Sequence, residues 1–287
     1  MGFFSQAHIC QCLTHLSSSR RSSVVTVFKN RVKTGEQFAG RVLSLANHLL
    51  ELGLQPGDVV AICAFNSDLY LEWLLAVAFV GGIFAPLNFR WSFKEAESAI
   101  SSVRPVLLVT DESCKSWNSE LQRNQFSFIK WRIFLDFSSS DHTQPVKGLQ
   151  METVKSNIKR VKQFSYKWAP ESAVIICFTS GTTGSPKGVL ISHSALIIQS
   201  LAKIAIVGYN ENDVYLHTTP LCHIGGLSSA LAILMVGGCH ILIPKFDSNL
   251  AENVIKTNSV TSFITVPAIM SDLISTIRAM TETKTTN

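Results

Sequence analysis

Apolar segments of two kinds alternate along this chain, and this alternation constrains the fold more than any other feature. Short runs such as 57–65 and 172–178 have the length and β-branched content of buried strands. Longer segments with apolar residues at helical spacing separate them, among them 34–54, which stops at Gly53. Strands that alternate with helices predict an α/β fold with parallel sheets flanked by helices. The other predicted strands are 23–28, 103–111, 189–192, 239–244 and 260–267, and the other predicted helices are 69–82, 192–207 (with Ser192 as its N-cap) and 225–238.

The middle of the chain has a different character. Residues 112–170 are polar and rich in serine, except for an apolar segment at 130–137 that we predict to be an edge strand. We interpret 138–170 as a linker or surface excursion between two sub-lobes, which cover about 8–137 and 170–275.

Charge and cysteine content argue against several classes of protein. The 25 Lys and Arg and 20 Asp and Glu residues give a net charge of +5, with no long block of like charges, so no nucleic-acid tail is indicated. The seven cysteines are odd in number and lack paired CxxC spacing, which favours buried reduced thiols over disulfides or a metal site, and hence a reducing compartment. Two apolar stretches, 73–87 and 227–244, are interrupted by glycine, proline or histidine. They predict a buried helix, a turn and a strand rather than a transmembrane span.

The beginning of the chain has two interpretations. No acidic residue precedes Glu36, and serines accompany Arg20 and Arg21, as is typical of organellar transit peptides. The favoured alternative is that 8–16 forms the first amphipathic helix of the domain.

One segment is not explained by the fold pattern. "TSGTTGSPKG" (179–188) follows a predicted buried strand and combines glycines, hydroxyl side chains and a lysine. Glycines let backbone N–H groups converge on an anion, hydroxyls donate further hydrogen bonds, and Lys187 adds a positive charge, so the order suits a phosphate-binding loop. It is not the P-loop of conventional NTPases, because Pro186 stands where that pattern needs glycine and Gly188 where it needs Ser or Thr. A flexible connector is the structural alternative. We predict that 179–188 is a turn between two strands.

This segment resembles the signature phosphate loop of the adenylate-forming superfamily, which includes acyl- and aryl-CoA synthetases, luciferases and peptide-synthetase adenylation domains. "TTPLCHIGGL" (218–227) resembles the second motif of that family, 66–92 its early helix–turn segment, and 264–270 the strand before the acyl-binding region. The resemblance runs from about residue 8 to about residue 275. It implies the N-terminal lobe of the AMP-dependent synthetase/ligase fold over 1–287.

The resemblance also implies a reaction and a set of site residues. A carboxylic acid is first adenylated by Mg²⁺-ATP and then transferred to CoA as a thioester, so ATP, Mg²⁺, CoA and a small-molecule acid are the implied cofactor, co-substrates and partners. His223 would lie beside the acyl group with Gly225 and Gly226, although the apolar residues around His223 leave a packed core histidine as the alternative. We assign His217, which no motif supports, to packing. Lys187 and Thr183 are the implied catalytic residues, and the implied phosphate ligands are Thr179, Ser180, Gly181, Thr182, Thr183, Gly184 and Lys187.

Several later parts of the family pattern have no counterpart in these 287 residues. They are the adenine-binding turn, the aromatic-Gly-x-Thr-Glu segment, the ribose-binding aspartate and the C-terminal lid domain with its lysine. We therefore expect an incomplete lobe, a truncated chain, a frayed tail at 276–287 and no thioester formation by this polypeptide alone. Two functional alternatives stay open, which are an acyl- or aryl-CoA ligase of any specificity and a non-catalytic remnant. The resemblance and the acid-poor beginning together indicate a chloroplast or a peroxisome.

Overall fold

The computed structural model describes residues 7–123, 126–136, 165–179 and 185–285. Its elements alternate between strand and helix, which confirms the predicted α/β class. The helices are α1 Gln11–Ser18, α2 Gly35–Glu51, α3 Asp68–Phe79, α4 Phe93–Val103, α5 Asn118–Arg123, α6 His193–Val207, α7 Ile224–Val236, α8 Ser248–Thr257 and α9 Pro267–Thr285. The strands are β1 Val24–Phe28, β2 Arg31–Thr34, β3 Val59–Cys63, β4 Ile83–Pro86, β5 Leu107–Thr110, β6 Trp131–Phe134, β7 Ala173–Thr179, β8 Lys187–Ser192, β9 Val214–His217 and β10 Cys239–Leu242.

The chain divides into two compact units, and each unit combines early and late segments. The described residues of the first unit lie within Met1–Cys10, Gly40–Phe65 and Glu72–Ala195, and those of the second lie within Gln11–Ala39, Asn66–Leu71 and Leu196–Asn287. The sub-lobes expected from the sequence, about 8–137 and 170–275, instead follow the order of the chain. Each unit takes segments from both halves of the chain because parallel pairing joins strands that are far apart in sequence. Most of the expected linker, 138–170, lies outside the described residues.

The first unit is built on a six-stranded sheet with the order β6-β5-β3-β4-β7-β8. The first five strands in this order, from β6 across to β7, run parallel to one another. The last strand, β8, is antiparallel to β7. The central strand β3 pairs through Val60 with Leu107 on one side and Phe84 on the other, and all three side chains are buried. Near-continuous apolar runs are what a parallel sheet needs when helices cover both faces. The edge strand expected at 130–137 is confirmed as β6.

The second unit is built on a four-stranded sheet with the order β2-β1-β10-β9. Here β1 is antiparallel to β2 and parallel to β10, which in turn is parallel to β9. A core beside this sheet joins strand residues to the two helices that follow β10. Its buried members are Leu216, Ile241, Ile243, Ala251 and Leu273.

The strand predicted at 260–267 is wrong. Only Ser262 forms a β-bridge there, with Tyr215, and Pro267 begins α9. The partner strand β9 has only four residues, and beyond Ser262 the backbone pairs with side chains instead of a strand. Ile264 donates its N–H to the Tyr215 hydroxyl at 3.2 Å, and its carbonyl accepts from the Thr218 hydroxyl at 2.6 Å. The family strand expected at 264–270 is likewise a short extended stretch followed by a helix.

The two ends of the chain also differ in detail from expectation. The amphipathic helix expected at 8–16 is confirmed as α1, although it begins at Gln11. The tail at 276–287, expected to fray, is helical as far as Thr285, where α9 ends. Among the described residues, no helix is both long enough and apolar enough to cross a membrane. Six of the seven cysteines are buried thiols, and Cys239 is partly exposed.

Candidate functional site

The described residues on either side of the predicted phosphate loop belong to two paired strands of the first unit. Strands β7 and β8, which we call the phosphate-loop hairpin, are antiparallel, and Thr179 is the register partner of Lys187. The Thr179 hydroxyl donates to the Lys187 carbonyl at 3.5 Å, and both side chains are exposed. The strands on either side of the predicted turn are therefore confirmed, while Ser180, Gly181, Thr182, Thr183 and Gly184 lie outside the described residues.

Aromatic side chains anchor the base of this hairpin. Phe178 is only 8% exposed and packs edge-to-face against Trp91, with ring centroids 5.6 Å apart. The Trp117 indole N–H donates to the Trp91 carbonyl at 3.1 Å. Gly188 is required by the same packing, because a Cβ there would lie 2.7 Å from a methyl group of Ile176. This motif glycine thus has a packing role that the sequence did not indicate.

Helix α4 borders the part of the motif that leads into β8. An open cleft of about 400 Å³ is lined by Ser185 and Pro186 from the motif and by α4 residues that include Lys94 and Ser98. The sequence contained the start signal of this helix, since Ser92 and Glu95 form a capping box. Hydrogen bonds from Ser92 lower the pKa of the Glu95 carboxyl.

The hairpin continues directly into α6 through a buried histidine. Ser192 acts as the predicted N-cap, because its hydroxyl accepts the N–H of Ala195 at 3.3 Å. His193 accepts the N–H of Ile9 through Nδ1 at 3.2 Å, and its ring lies 3.9 Å from that of His8. Burial, assisted by the charge of His8, lowers the pKa of His193 to about 3, and burial lowers the pKa of His8 to about 4. Both rings are therefore neutral at pH 7 and serve packing.

The second predicted site lies in the second unit, at a turn that leads into α7. We call residues 219–224 the His223 turn. His223 is exposed and is the N-cap residue of α7, so the alternative of a packed core histidine is wrong. Its neighbours Leu221 and Cys222 point into the core instead, being 0% and 5% exposed. Gly225 borders open space, since a Cβ added to it would meet no atom within 4 Å.

A buried asparagine holds the His223 turn. The Asn66 side chain, 3% exposed, donates to the Thr219 carbonyl at 3.0 Å and accepts the Leu221 N–H at 2.7 Å. Gly226 allows the close approach of helix and turn, because a Cβ there would lie 2.6 Å from the Pro220 carbonyl oxygen. Sequence reasoning missed Asn66, which is 155 positions from Leu221. Its only local signal was a polar amide between a buried strand and a buried helix.

The remaining histidines of this region are structural. His217 is 1% exposed, stacks on His240 and shares a 2.9 Å hydrogen bond with it, which confirms its assignment to packing. Burial lowers the pKa of His217 to about 3 and that of His240 well below its usual value. The candidate site residues are thus divided between the units. Thr179 and Lys187 belong to the first, and His223, Gly225 and Gly226 belong to the second.

Comparisons with known proteins identify relatives of this chain. The family model described as "AMP-binding enzyme" matches residues 15–286. The 2-succinylbenzoate–CoA ligase, chloroplastic/peroxisomal, of Arabidopsis thaliana is 58% identical over 275 residues, which is 96% of this chain and 49% of that protein. The 2-succinylbenzoate–CoA ligase of a Bacillus cereus strain is 27% identical over 84% of this chain and 44% of its own length. The chain therefore spans about half the length of these relatives.

Solved structures support the fold. The crystal structure of the N-terminal domain of FACL13 from Mycobacterium tuberculosis matches with a TM-score of 0.78 and 20% identity, covering 93% of this chain and 65% of that one. A fatty acyl CoA synthetase structure from the same organism has a TM-score of 0.78 and 18% identity, covering 93% of this chain and 50% of that one. At these identities the likeness concerns the fold alone.

Proposed function

Since the chain belongs to the AMP-binding enzyme family, we propose that it serves as a 2-succinylbenzoate–CoA ligase. The observation that carries the proposal is the 58% identity to the Arabidopsis ligase, maintained over 96% of this chain. In the proposed reaction a carboxylate oxygen of the acid attacks the α-phosphorus of ATP, and pyrophosphate leaves. The CoA thiol then attacks the acyl carbon, and AMP leaves. The thioester would serve phylloquinone- or menaquinone-type biosynthesis.

The described part of the phosphate-loop hairpin supports a role in ATP binding. The Lys187 side chain is exposed and makes no ion pair within the described residues. We propose that its ammonium group and the loop hydroxyls offset the charge that develops as pyrophosphate departs. The proposed phosphate-binding set is Thr179, Ser180, Gly181, Thr182, Thr183, Gly184 and Lys187, with Lys187 and Thr183 acting in catalysis.

The His223 turn is the proposed acid-binding element. Its histidine is exposed at the positive end of α7, and Gly225 leaves open space beside it. We propose that His223, Gly225 and Gly226 line the acyl pocket. Mg²⁺ is proposed to enter with ATP, as part of the substrate; within the described residues no three His, Cys, Asp or Glu side chains come together to hold an ion.

A chimera tests the proposal. In it, this chain replaces the matched 275 residues of the Arabidopsis relative, so that the relative supplies the remainder of its length. With Mg²⁺-ATP and CoA, the chimera is expected to form a thioester from 2-succinylbenzoate in preference to other acids. Turnover of a different acid alone would establish the alternative ligase, and absence of ATP–pyrophosphate exchange with every acid, in a folded chimera, would establish the non-catalytic alternative.

The 287-residue polypeptide alone is expected to form no thioester. The hairpin can neutralise phosphate charge, but orienting the α-phosphorus for in-line attack needs further contacts, and lost orientation costs several orders of magnitude in rate. The assay compares the folded polypeptide with the chimera. A rate for the polypeptide near that of the chimera would contradict the expectation.

The protein is further proposed to act in the chloroplast or peroxisome. The name of the Arabidopsis relative supports this location. Imaging of a full-length protein fused internally to a fluorescent domain, in plant cells, tests it against a cytosolic distribution.

A further inference from the structure

One lysine of the second unit is held in a polar cluster that the proposed reaction steps do not use. The Lys203 amine, on α6, donates to the hydroxyls of Ser228 and Ser229 on α7, each at 2.7 Å. The serines are 1% and 0% exposed, whereas Lys203 is partly exposed. The two hydroxyls fix the position of the amine on a residue that is partly exposed.

The Lys203 amine is a cation that lies beside hydroxyl groups. Within the described residues, no carboxylate pairs with Lys203, and its pKa is lowered because burial disfavours the charged form. Both serine hydroxyls are already committed, since they donate to the Gly225 carbonyl at 3.4 and 3.0 Å. The two hydroxyls take up two of the three ammonium protons, so one N–H stays available for an acceptor.

The cluster adjoins the proposed acid-binding element. The shared acceptor, the Gly225 carbonyl, belongs to the first turn of α7, and Ser229 follows His223 by six positions. Six residues of helix span about 9 Å. The amine is thus hydrogen-bonded to the second turn of the helix that His223 caps.

The chemistry of the proposed substrate requires a second anion site. 2-Succinylbenzoate carries one carboxylate on its ring and another on its succinyl chain, and thioester formation consumes only one. The other stays charged through both steps, and an enclosed carboxylate needs a cationic partner to offset its lost hydration. We propose that the Lys203 amine, held between Ser228 and Ser229, binds the carboxylate that does not react. This inference rests on the proposed function.

Substrate discrimination in the chimera tests the inference. The two probes are 2-succinylbenzoate and whichever of its two mono-amides retains the reacting carboxylate. Lys203→Met is expected to lower kcat/KM for the diacid by about ten-fold or more, through KM, because a charged hydrogen bond is lost. The same variant should change kcat/KM for the mono-amide and the KM of ATP by less than about three-fold.

Two further variants separate charge recognition from packing. Lys203→Arg keeps a cation and is expected to keep most of the preference for the diacid. Lys245→Met removes an exposed positive charge from the same unit and serves as the matched control, with no expected change in that preference. Parallel losses for diacid and mono-amide in Lys203→Met, or unchanged preference, would show that Lys203 only links α6 to α7 and would overturn the inference.

A binding measurement distinguishes failure of the inference from failure of the proposed function. If the folded chimera turns over no acid, calorimetric titration of 2-succinylbenzoate into the 287-residue polypeptide replaces the kinetic assay. Binding that Lys203→Met weakens by about ten-fold supports the anion site even then. Equal binding by the unchanged polypeptide and its Lys203→Met variant, or binding by neither of them, overturns the inference.

Discussion

The phosphate-loop hairpin and the His223 turn both present a polar group at the end of a regular element, but they are held by opposite means. The hairpin is anchored by apolar contacts of Phe178 and Trp91, and its cationic Lys187 is exposed beyond them. The His223 turn is fixed by hydrogen bonds from the buried Asn66 amide and by the close approach at Gly226. In the hairpin, the proposed chemistry and the stability reside on different side chains. In the turn, the groups that set its geometry also stabilise the second unit.

Acidification is expected to have the largest effect and to act on both units. His8 and His193 in the first unit, and His217 and His240 in the second, are buried with lowered pKa values. The unfolded chain therefore binds protons first as pH falls below about 6.5. The stability contributed by the neutral rings is complete above that pH and is lost towards pH 4, by several kcal/mol in total.

Denaturant titrations at pH values from about 7.5 to about 4, roughly the range over which the histidines titrate, measure this loss. The measured quantity is the slope of the unfolding free energy against pH. His240→Leu should flatten the slope, because it removes one of the buried neutral rings. An unchanged slope in His240→Leu would contradict the assigned protonation states.

Removal of the hairpin anchor is expected to have the next largest effect. Phe178→Ala deletes a nearly buried ring and should lower the free energy of unfolding by about 3 kcal/mol. Leu190→Ala on β8 is the matched control, because its side chain is 51% exposed and its loss should cost less than about 1 kcal/mol. Equal losses for the two variants would show that the aromatic anchor has no special role.

Removal of the Asn66 amide, which we call the polar clamp of the His223 turn, should lower the free energy of unfolding somewhat less than Phe178→Ala does. Asn66→Leu leaves the Leu221 N–H and the Thr219 carbonyl without their partner, and about 2 kcal/mol of stability should be lost. The exposed Asn253 on α8 provides the control, since Asn253→Leu should change stability by less than about 0.5 kcal/mol. If the clamp is what fixes the turn, hydrogen exchange at the Leu221 amide should accelerate selectively in Asn66→Leu.

Two adjacent glycines give a sharper test of the turn. Gly226→Ala forces a Cβ against the Pro220 carbonyl and should destabilise the protein by about 1–2 kcal/mol. Gly225→Ala meets nothing within 4 Å and should be neutral or slightly stabilising in a helix. Thermal unfolding of both variants provides the comparison, and a reversed order would rule out the close approach as the reason for Gly226.

The fold was predictable where local pattern and tertiary partners agree. Apolar runs such as Val59–Cys63 are buried strands of a parallel sheet, as their composition indicates. The prediction failed where the presence of a neighbouring strand decides whether a segment becomes a strand. Val260 to Val266 have β-branched residues typical of a strand, yet β9 ends after four residues and leaves them little to pair with. The helix at Phe93–Val103 was missed although its capping box is visible in the sequence.

The candidate site divides in the same way. The motif predicted the hairpin around Thr179 and Lys187, because glycine, hydroxyl and lysine spacing is a local property of the chain. The exposure of His223 depends on the partners of its neighbours, Leu221 and Cys222, which occupy the core. Asn66 and Lys203 act through contacts with residues 155 and 25 positions away, and single-sequence periodicity carries no information on such pairs.

The separation of chemistry from stability in the hairpin is tested most directly by Lys187→Ala in the chimera. This exposed side chain should contribute less than about 0.5 kcal/mol to unfolding, the smallest of the effects expected here. ATP–pyrophosphate exchange with 2-succinylbenzoate should nevertheless fall by about 100-fold, because the lysine is proposed to act on developing phosphate charge. Unfolding free energy and exchange per folded molecule are to be measured on the same preparation. Unchanged stability with lost exchange is the predicted result, and lost stability with normal exchange per folded molecule would contradict the account.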